Sequence, residues 1–230
     1  MNLYKKYMST KKHIVIYSHG FGVRKDDNGL LSDIAEHLPE VESILFDYYD
    51  LNEANNELLI CPTSHQVNKL NQIINGIRTI SPEAVIDLIA HSQGTIVAAM
   101  AKPSGIRKFI MLAPVFDMGL ERTLFRYRAK PDAQVDINGT SIISYSRGIT
   151  RIIPKEYWQE RINIKPFVEY NVFSEKTEII VIEAKQDELV PKVDLKELDK
   201  RIKVMQLEGD HGFHVPNREL LINTIRELIL

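Results

Sequence analysis

Runs of consecutive apolar residues alternate along this chain with segments in which apolar residues recur every three or four positions. The run at 106–113 is typical of a strand buried on both faces, whereas the spacing of Leu30, Leu31 and Ile34 is typical of one face of a helix. This alternation predicts an α/β fold with a mostly parallel central sheet of about six strands flanked by helices. The predicted strands are 13–18, 41–48, 84–90, 106–113, 178–184 and 203–207.

The helical segments between these strands have recognisable ends. Ser64 is the predicted N-cap of the helix whose apolar stripe covers 67–77, because a serine hydroxyl accepts from an unpaired N–H of the first turn. Pro103 ends the helix that follows Ser92, and the last helix begins after Pro216.

The alternation of strands and helices is interrupted between residues 116 and 173. Asn138 and Gly139 predict a two-residue type I′ turn that joins two strands into a hairpin. A further turn is expected at 146–148, and Pro154 is typical of a helix start. Residues 116–173 are therefore predicted to form an insert with its own strands and helices.

The insert is rich in aromatic residues and contains half of the phenylalanines, tyrosines and tryptophan of the chain. Because it follows a central strand, we expect 116–173 to form a lid above the sheet, with 1–115 and 174–230 as the core domain. Tyr145 and Trp158 are candidates for binding substrate. The opposing interpretation is that a small lid needs its aromatic residues to pack at all.

Composition and charge exclude some classes of function. The 29 lysines and arginines against 31 aspartates and glutamates give a net charge of −2, so the basic surface of a nucleic-acid or membrane-binding protein is not expected. That balance favours a small, uncharged or mildly polar substrate. With Cys61 as the only cysteine, no intramolecular disulfide can form, as in a reducing compartment. No signal-peptide core or membrane-length apolar segment is recognisable, so a cytoplasmic protein is expected.

Residues 90–94, Ala-His-Ser-Gln-Gly, point most directly to chemistry. They follow a predicted strand and precede a predicted helix, which is the setting of the nucleophile elbow G-x-S-x-G, here with Ala90 in the first position. On such a turn the hydroxyl projects above the sheet edge, and the first N–H groups of the helix are free to bind an anion. Ser92 is therefore the candidate nucleophile.

A serine nucleophile needs a base and a group that orients the base. His211 follows the last predicted strand and is the candidate base, with His214 as its nearest competitor. Asp187 follows the preceding strand and is the candidate acid, ahead of Asp117 and of the adjacent Glu188.

The negative charge that develops on a carbonyl oxygen needs hydrogen-bond donors. The glycine-containing segment 18–22 follows the first strand, so the backbone N–H groups of Phe21 and Gln93 are the predicted oxyanion hole. His19 and His91 are expected to brace these loops rather than to transfer protons.

Four motifs together resemble the α/β-hydrolase superfamily, in its serine esterase branch. They are Ser-His-Gly-Phe-Gly at 18–22, Ala-His-Ser-Gln-Gly at 90–94, Gln-Asp-Glu-Leu-Val-Pro at 186–191 and Gly-Asp-His-Gly-Phe at 209–213. The insert is similar to the lid of bacterial feruloyl and cinnamoyl esterases. The resemblance covers nearly the whole chain and implies hydrolysis of a small carboxylic ester through an acyl-enzyme, without a metal or organic cofactor.

Several alternatives remain open on the sequence. Thioesterases, amidases and peptidases use the same catalytic groups. A hydrolase fold that only binds a ligand is a further alternative, but such a protein has no need of base, acid and oxyanion loop together. The oligomeric state is left open.

Overall fold

The computed structural model describes residues 12–145 and 148–230 of the chain. Its strands are β1 (His13–Ser18), β2 (Glu42–Leu45), β3 (Asp50–Asn52), β4 (Glu57–Leu59), β5 (Val85–His91), β6 (Ile106–Leu112), β7 (Ser141–Ser144), β8 (Thr150–Ile153), β9 (Glu178–Ala184) and β10 (Lys203–Leu207). Its helices are α1 (Leu30–Glu36), α2 (Thr63–Ile80), α3 (Gln93–Ala101), α4 (Leu120–Arg128), α5 (Lys155–Arg161), α6 (Pro166–Ser174) and α7 (Asn217–Ile229), with a short 3-10 helix at Leu195–Glu197.

Six parallel strands form the central sheet in the order β10-β9-β6-β5-β1-β2. This confirms the predicted fold class, and the predicted bounds of β1, β9 and β10 agree with the structure. The strand predicted at 41–48 is shorter and ends at Leu45. Beyond it, the N–H of Tyr48 donates to Nε2 of His19 instead of to a neighbouring strand.

The sheet separates two apolar clusters. Side chains such as Ile16, Leu88 and Phe109 face the first cluster, which α2, α3 and α6 cover. Val15 and Ile110 face the second, which α1 and α7 cover. Both faces of the four inner strands, β1, β5, β6 and β9, are therefore buried, which explains why these strands are apolar runs without alternation.

Three of the four helix ends predicted from sequence are confirmed. Helix α5 begins at Lys155, directly after Pro154. Lys102 adopts the left-handed conformation after α3 and is followed by Pro103, and α7 begins directly after Pro216. The predicted cap of α2 is wrong, because Pro62 occupies the N-cap position. The Ser64 hydroxyl instead donates to a carboxylate oxygen of Glu160 at 2.6 Å, which links α2 to α5.

The predicted type I′ turn is also wrong, because neither Asn138 nor Gly139 has a positive φ angle. Side chains close this loop: the Asp136 carboxylate accepts from the N–H of Asn138 at 2.9 Å, and the Ser141 hydroxyl donates to the Asp136 carbonyl. The regular hairpin of the insert is β7 with β8. Of the turn expected at 146–148, Ser146 and Arg147 lie outside the described residues.

A second sheet, in the order β3-β4-β8-β7, joins the insert to the rest of the chain. Strand β4, which lies before the insert in sequence, pairs in parallel with β8. At the other end of the insert, Phe173 of α6 packs on Phe109 of β6 with ring centroids 5.5 Å apart. The division into a core (1–115 and 174–230) and a lid (116–173) stays a prediction, to which the structure adds this shared sheet.

Candidate active site

Ser92 lies on the turn between β5 and α3 in a conformation that L-amino acids rarely adopt, with φ of 52° and ψ of −124°. The Ser92 N–H is held by the carbonyl of Leu112 at 2.9 Å. Gly94 permits the tight turn, since a Cβ there would lie 2.2 Å from the carbonyl oxygen of Ser18. Ala90 is fully buried in β5, so its methyl group is accommodated within the core.

Three side chains from separate loops form one chain of hydrogen bonds. Nε2 of His211 lies 2.9 Å from Oγ of Ser92, and Nδ1 of His211 lies 2.8 Å from Oδ2 of Asp187. Asp187 follows β9 and His211 follows β10, so both loops lie at the carboxyl edge of the sheet. The arrangement allows the imidazole to accept the serine proton while the carboxylate fixes its tautomer.

The Asp187 carboxylate is held in its ionised form. Burial alone would raise its pKa, but the hydrogen bond and charge of His211 and two backbone N–H donors bring the pKa below its usual value. Those donors are Leu189 and Val190, each 2.8 Å from Oδ1. The loop after β9 therefore orients the acid as well as supplying it.

The competing candidates for base and acid lie elsewhere. Oε2 of Glu188 accepts from the backbone N–H of His211 at 3.2 Å and does not contact the imidazole in the way Asp187 does. Asp117 is exposed and accepts from the N–H of Gly119. His214 is exposed and pairs with Asp210. The structure brings together Ser92 and the first-choice partners only.

The residues predicted as the oxyanion hole line the same cavity as Ser92, with Phe21 on the loop after β1 and Gln93 at the start of α3. His19 lies behind this loop and is buried; its Nδ1 lies 2.9 Å from the carbonyl of Gly20, and its Nε2 accepts from the N–H of Tyr48. Burial lowers the pKa of His19 despite nearby carboxylates. His19 therefore acts as a neutral brace between two loops.

A second histidine–aspartate pair, which the sequence analysis missed, lies behind the first. Nδ1 of His91 lies 2.8 Å from Oδ2 of Asp27, and its Nε2 lies 2.9 Å from the carbonyl oxygen of His211. Both partners are acceptors, so both ring nitrogens donate and the ring is cationic. Burial opposes that charge, but Asp27 raises the pKa of His91 above its usual 6.5.

Asp27 has no local sequence signal, since it is 64 residues from His91 and lies in a charged loop. It is nonetheless buried, and it also accepts from the N–H of Gly20 at 2.7 Å. Burial raises its pKa, but His91 and Gly20 together bring the pKa below the usual 3.8. One carboxylate thus ties the loop after β1 to the loops that carry Ser92 and His211.

A cavity of about 370 Å³ opens onto Ser92 and His211. Tyr127, Tyr145 and Tyr157 line it from the insert, and substrate binding by Tyr145 stays a prediction. Trp158 is not among the lining residues: its side chain is 1% exposed, and its Nε1 donates to the Ser141 hydroxyl at 3.1 Å. Trp158 therefore packs within the insert and does not face the cavity.

Two further features of the described part of the chain bear on the type of protein. No helix there is long and apolar enough to cross a membrane. No group of three or more histidines, cysteines, aspartates or glutamates in the same ranges is arranged to hold a metal ion.

No protein-family model and no curated protein sequence matches the chain. Solved structures do match. Est1E from Butyrivibrio proteoclasticus, in a structure with ferulic acid bound, is 18% identical with a TM-score of 0.70, and the match covers 95% of this chain and 88% of that one.

Two other structures show the same similarity at lower identity. The esterase domain of a Rhodothermus marinus protein is 12% identical with a TM-score of 0.64, covering 96% of this chain and 88% of that one. A Xanthomonas campestris protein described as a hydrolase of the α/β superfamily is 15% identical with a TM-score of 0.52, covering 95% and 98%. Together with the six-stranded parallel sheet, these similarities establish that the chain has the α/β-hydrolase fold.

Proposed function

We propose that this protein is a carboxylesterase-type serine hydrolase that cleaves small carboxylic esters. The observation that carries the proposal is the hydrogen-bonded chain from Ser92 through His211 to Asp187, with distances of 2.9 and 2.8 Å. A serine in a strained turn, within reach of a base that is itself oriented by a carboxylate, is the arrangement that activates a hydroxyl.

Catalysis begins when Nε2 of His211 takes the proton of Ser92 as its Oγ attacks the ester carbonyl carbon. The resulting oxyanion lies against the backbone N–H groups of Phe21 and Gln93, which are the proposed oxyanion hole. His211 then returns the proton to the leaving alcohol, and an acyl group remains on Ser92. Water activated by the same imidazole releases the acid and restores the serine.

The neighbours support an ester substrate, and the cavity supports a small one. Several matching structures are esterases, and one holds ferulic acid, an aromatic acid. The tyrosines of 116–173 that line the cavity suit an aromatic or short-chain acyl group beneath a lid. We propose that the enzyme is cytoplasmic and that its side chains catalyse the reaction without a cofactor.

A fluorophosphonate probe tests the activation of the serine. We expect rapid labelling of the wild type and none of Ser92→Ala, and a kcat for p-nitrophenyl acetate lowered about 10³-fold or more in Ser92→Ala and in His211→Ala. Circular dichroism and melting temperature check that each variant is folded. A folded Ser92→Ala protein with wild-type activity would refute the proposal.

A further inference from the structure

Five cationic side chains line the cavity on the side formed by the insert. Three of them, Arg122, Arg126 and Lys130, are four residues apart and therefore lie on one face of α4 and the turn after it. The other two, Arg151 of β8 and Arg161 of α5, complete the set. We call these five residues the cationic wall.

Arg122, Arg126 and Lys130 have only neutral hydrogen-bond partners. Arg122 and Arg126 donate to backbone carbonyls of the loop after β9, at 3.1 and 3.4 Å. Lys130 donates to the carbonyl of Ser144 at 3.2 Å. Like charges four residues apart repel each other, and no carboxylate in the described ranges lies within salt-bridge distance of these three.

The two deeper members are buried without a counter-ion. Arg151 and Arg161 are 5% and 8% exposed. Arg151 donates to the carbonyl of Gly22 at 2.8 Å, and its guanidinium stacks on the ring of Tyr145 at 3.5 Å. Arg161 donates to the hydroxyl of Tyr157 at 3.1 Å. A buried charge without an ionic partner is costly, so an anion bound beside Arg151 and Arg161 would stabilise the protein.

Unpartnered donors lie at the same place. Nε of Arg126, Nε of Arg161 and Nε2 of Gln93 are buried and have no hydrogen-bond partner within the described residues. Gln93 directly follows Ser92, and its Oε1 accepts from Tyr157 at 2.6 Å. Arg161 donates to the same Oε1 of Gln93 at 3.4 Å, so two of the three unpartnered donors belong to side chains grouped beside the residue that follows Ser92. An acceptor-rich ligand would satisfy such donors.

Three acidic residues also line the cavity, and none of them is in a salt bridge with the cationic wall among the described residues. Asp27 is paired with His91, Asp117 accepts from the N–H of Gly119, and Glu188 accepts from the N–H of His211. Burial is the main cause that lowers the pKa values of Arg126 and Lys130, and the positive charges of neighbouring arginines add to it.

We propose that the ester cleaved at Ser92 carries an anionic group, a carboxylate or a phosphate, that is bound by Arg126, Arg151 and Arg161. This anionic group is separate from the ester bond that Ser92 attacks. Guanidinium groups bind planar carboxylates and tetrahedral phosphates through paired N–H donors. This inference rests on the proposed function. It replaces the expectation of an uncharged substrate, which came from the net charge of the whole chain.

Matched ester pairs test the inference on the wild-type enzyme. On the alcohol side we compare 4-acetoxybenzoate with 4-acetoxybenzamide, and on the acyl side monomethyl terephthalate with methyl 4-carbamoylbenzoate. Each kcat/KM is divided by the rate of alkaline hydrolysis of the same ester to remove intrinsic reactivity. We expect the carboxylate to be preferred by about 10-fold or more in at least one pair; 4-acetoxyphenyl phosphate then distinguishes a phosphate from a carboxylate site.

Two variants assign the preference to the cationic wall. Arg126→Gln should reduce the ratio of anionic to neutral kcat/KM by about 10-fold or more, because one charge-assisted contact is lost. Arg128→Gln is the matched control, since Arg128 is exposed on the same helix and does not line the cavity. Its ratio should equal that of the wild type.

A binding experiment separates this inference from the proposed function. Calorimetric titration of Ser92→Ala with 4-hydroxybenzoate and with phenyl phosphate needs no turnover, and we expect at least one to bind more tightly than 4-hydroxybenzamide. The proposal of an anionic substrate would be overturned if 4-hydroxybenzamide bound as tightly as both anions or more tightly, and if the wild type cleaved both amide esters as fast as the carboxylate esters or faster. The proposal of an esterase would still stand. A wild-type enzyme that the fluorophosphonate probe does not label would instead count against the esterase.

Discussion

The two sides of the cavity around Ser92 differ in how their charges are balanced. On the side built from the central sheet, each buried carboxylate has a histidine partner: Asp187 lies against His211, and Asp27 lies against His91. On the side built from the insert, Arg151 and Arg161 have only neutral partners. The groups proposed for catalysis are therefore complete in the free protein, whereas the groups proposed for selectivity lack an ionic partner until a ligand binds.

The largest effect is expected on the balanced side. Asp187→Asn should lower kcat by about 10³- to 10⁴-fold, because an amide no longer stabilises the imidazolium or fixes the tautomer of His211. Glu188→Gln and Asp117→Asn are controls on neighbouring acids and should cost far less. Steady-state kinetics with p-nitrophenyl acetate measure kcat for the three variants. If Asp117→Asn is the most damaging of the three, the acid is wrongly assigned although the hydrolase proposal stands.

The second prediction concerns the stability that the balanced side provides. Asp27→Asn should reduce the free energy of unfolding by about 3–5 kcal/mol, because it leaves the buried charge of His91 unpaired. Asparagine tolerates the positive φ of 49° at this position, so the backbone itself is not the cause. Urea denaturation of the variant and the wild type measures the difference.

This loss should depend on pH in a definite direction. The raised pKa of His91 gives stability that is complete below about pH 6.5 and is lost as pH rises through the folded-state value. The lowered pKa of Asp27 gives stability that is present above about pH 3.8 and is lost as pH falls through its folded-state value. The gap between wild type and Asp27→Asn should therefore be widest between these limits; a gap independent of pH would contradict the ion pair.

A third prediction separates packing from selectivity within the insert. Trp158→Ala should destabilise the protein by about 3–5 kcal/mol, since it removes a side chain that packs on Tyr127 and Tyr157. Because Trp158 does not line the cavity, kcat/KM should fall alike for an aliphatic and an aryl ester. A change of preference between the two esters would show that Trp158 acts on substrate after all.

The smallest effect is expected for Tyr145→Ala. Tyr145 lines the cavity and stacks against the guanidinium of Arg151, a contact that contributes about 0.5–2 kcal/mol. We expect the melting temperature to change little and the preference between an aliphatic and an aryl ester to change by about several-fold. Equal losses for both esters, with a large drop in melting temperature, would assign Tyr145 to packing.

The central sheet and the residues of the proposed triad were predictable because their signals are local. The inner strands are apolar runs, and each catalytic candidate lies in the turn or loop that follows a strand, as Ser92 does after β5. The turn at Asn138 was not predictable from its residue pair, because the side chains of Asp136 and Ser141 close that loop. Competition from side chains is not visible in a two-residue turn motif.

Two parts of the site were hidden for a different reason. The pairing of Asp27 with His91 joins loops that are distant in sequence, and neither loop carries a pattern that points to the other. The cationic wall is drawn from α4, β8 and α5, so its charge cancels against acidic residues elsewhere when the whole chain is counted. The sequence likewise did not determine whether the side chain of Trp158 faces the cavity or packs within the insert, since aromatic residues serve both cores and pockets.

The pairing of β4 with β8 limits how far the insert can move from the core. The N–H of Ile60 donates to the carbonyl of Ile152 at 2.9 Å, and the N–H of Thr150 donates to the carbonyl of Asn56 at the same distance. A swing of the insert away from the core would have to break these bonds together. We expect the opening of the cavity to keep a constant width and the amide protons of β8 to exchange as slowly as those of the central strands. The rate of turnover should then not be limited by an opening motion of the insert.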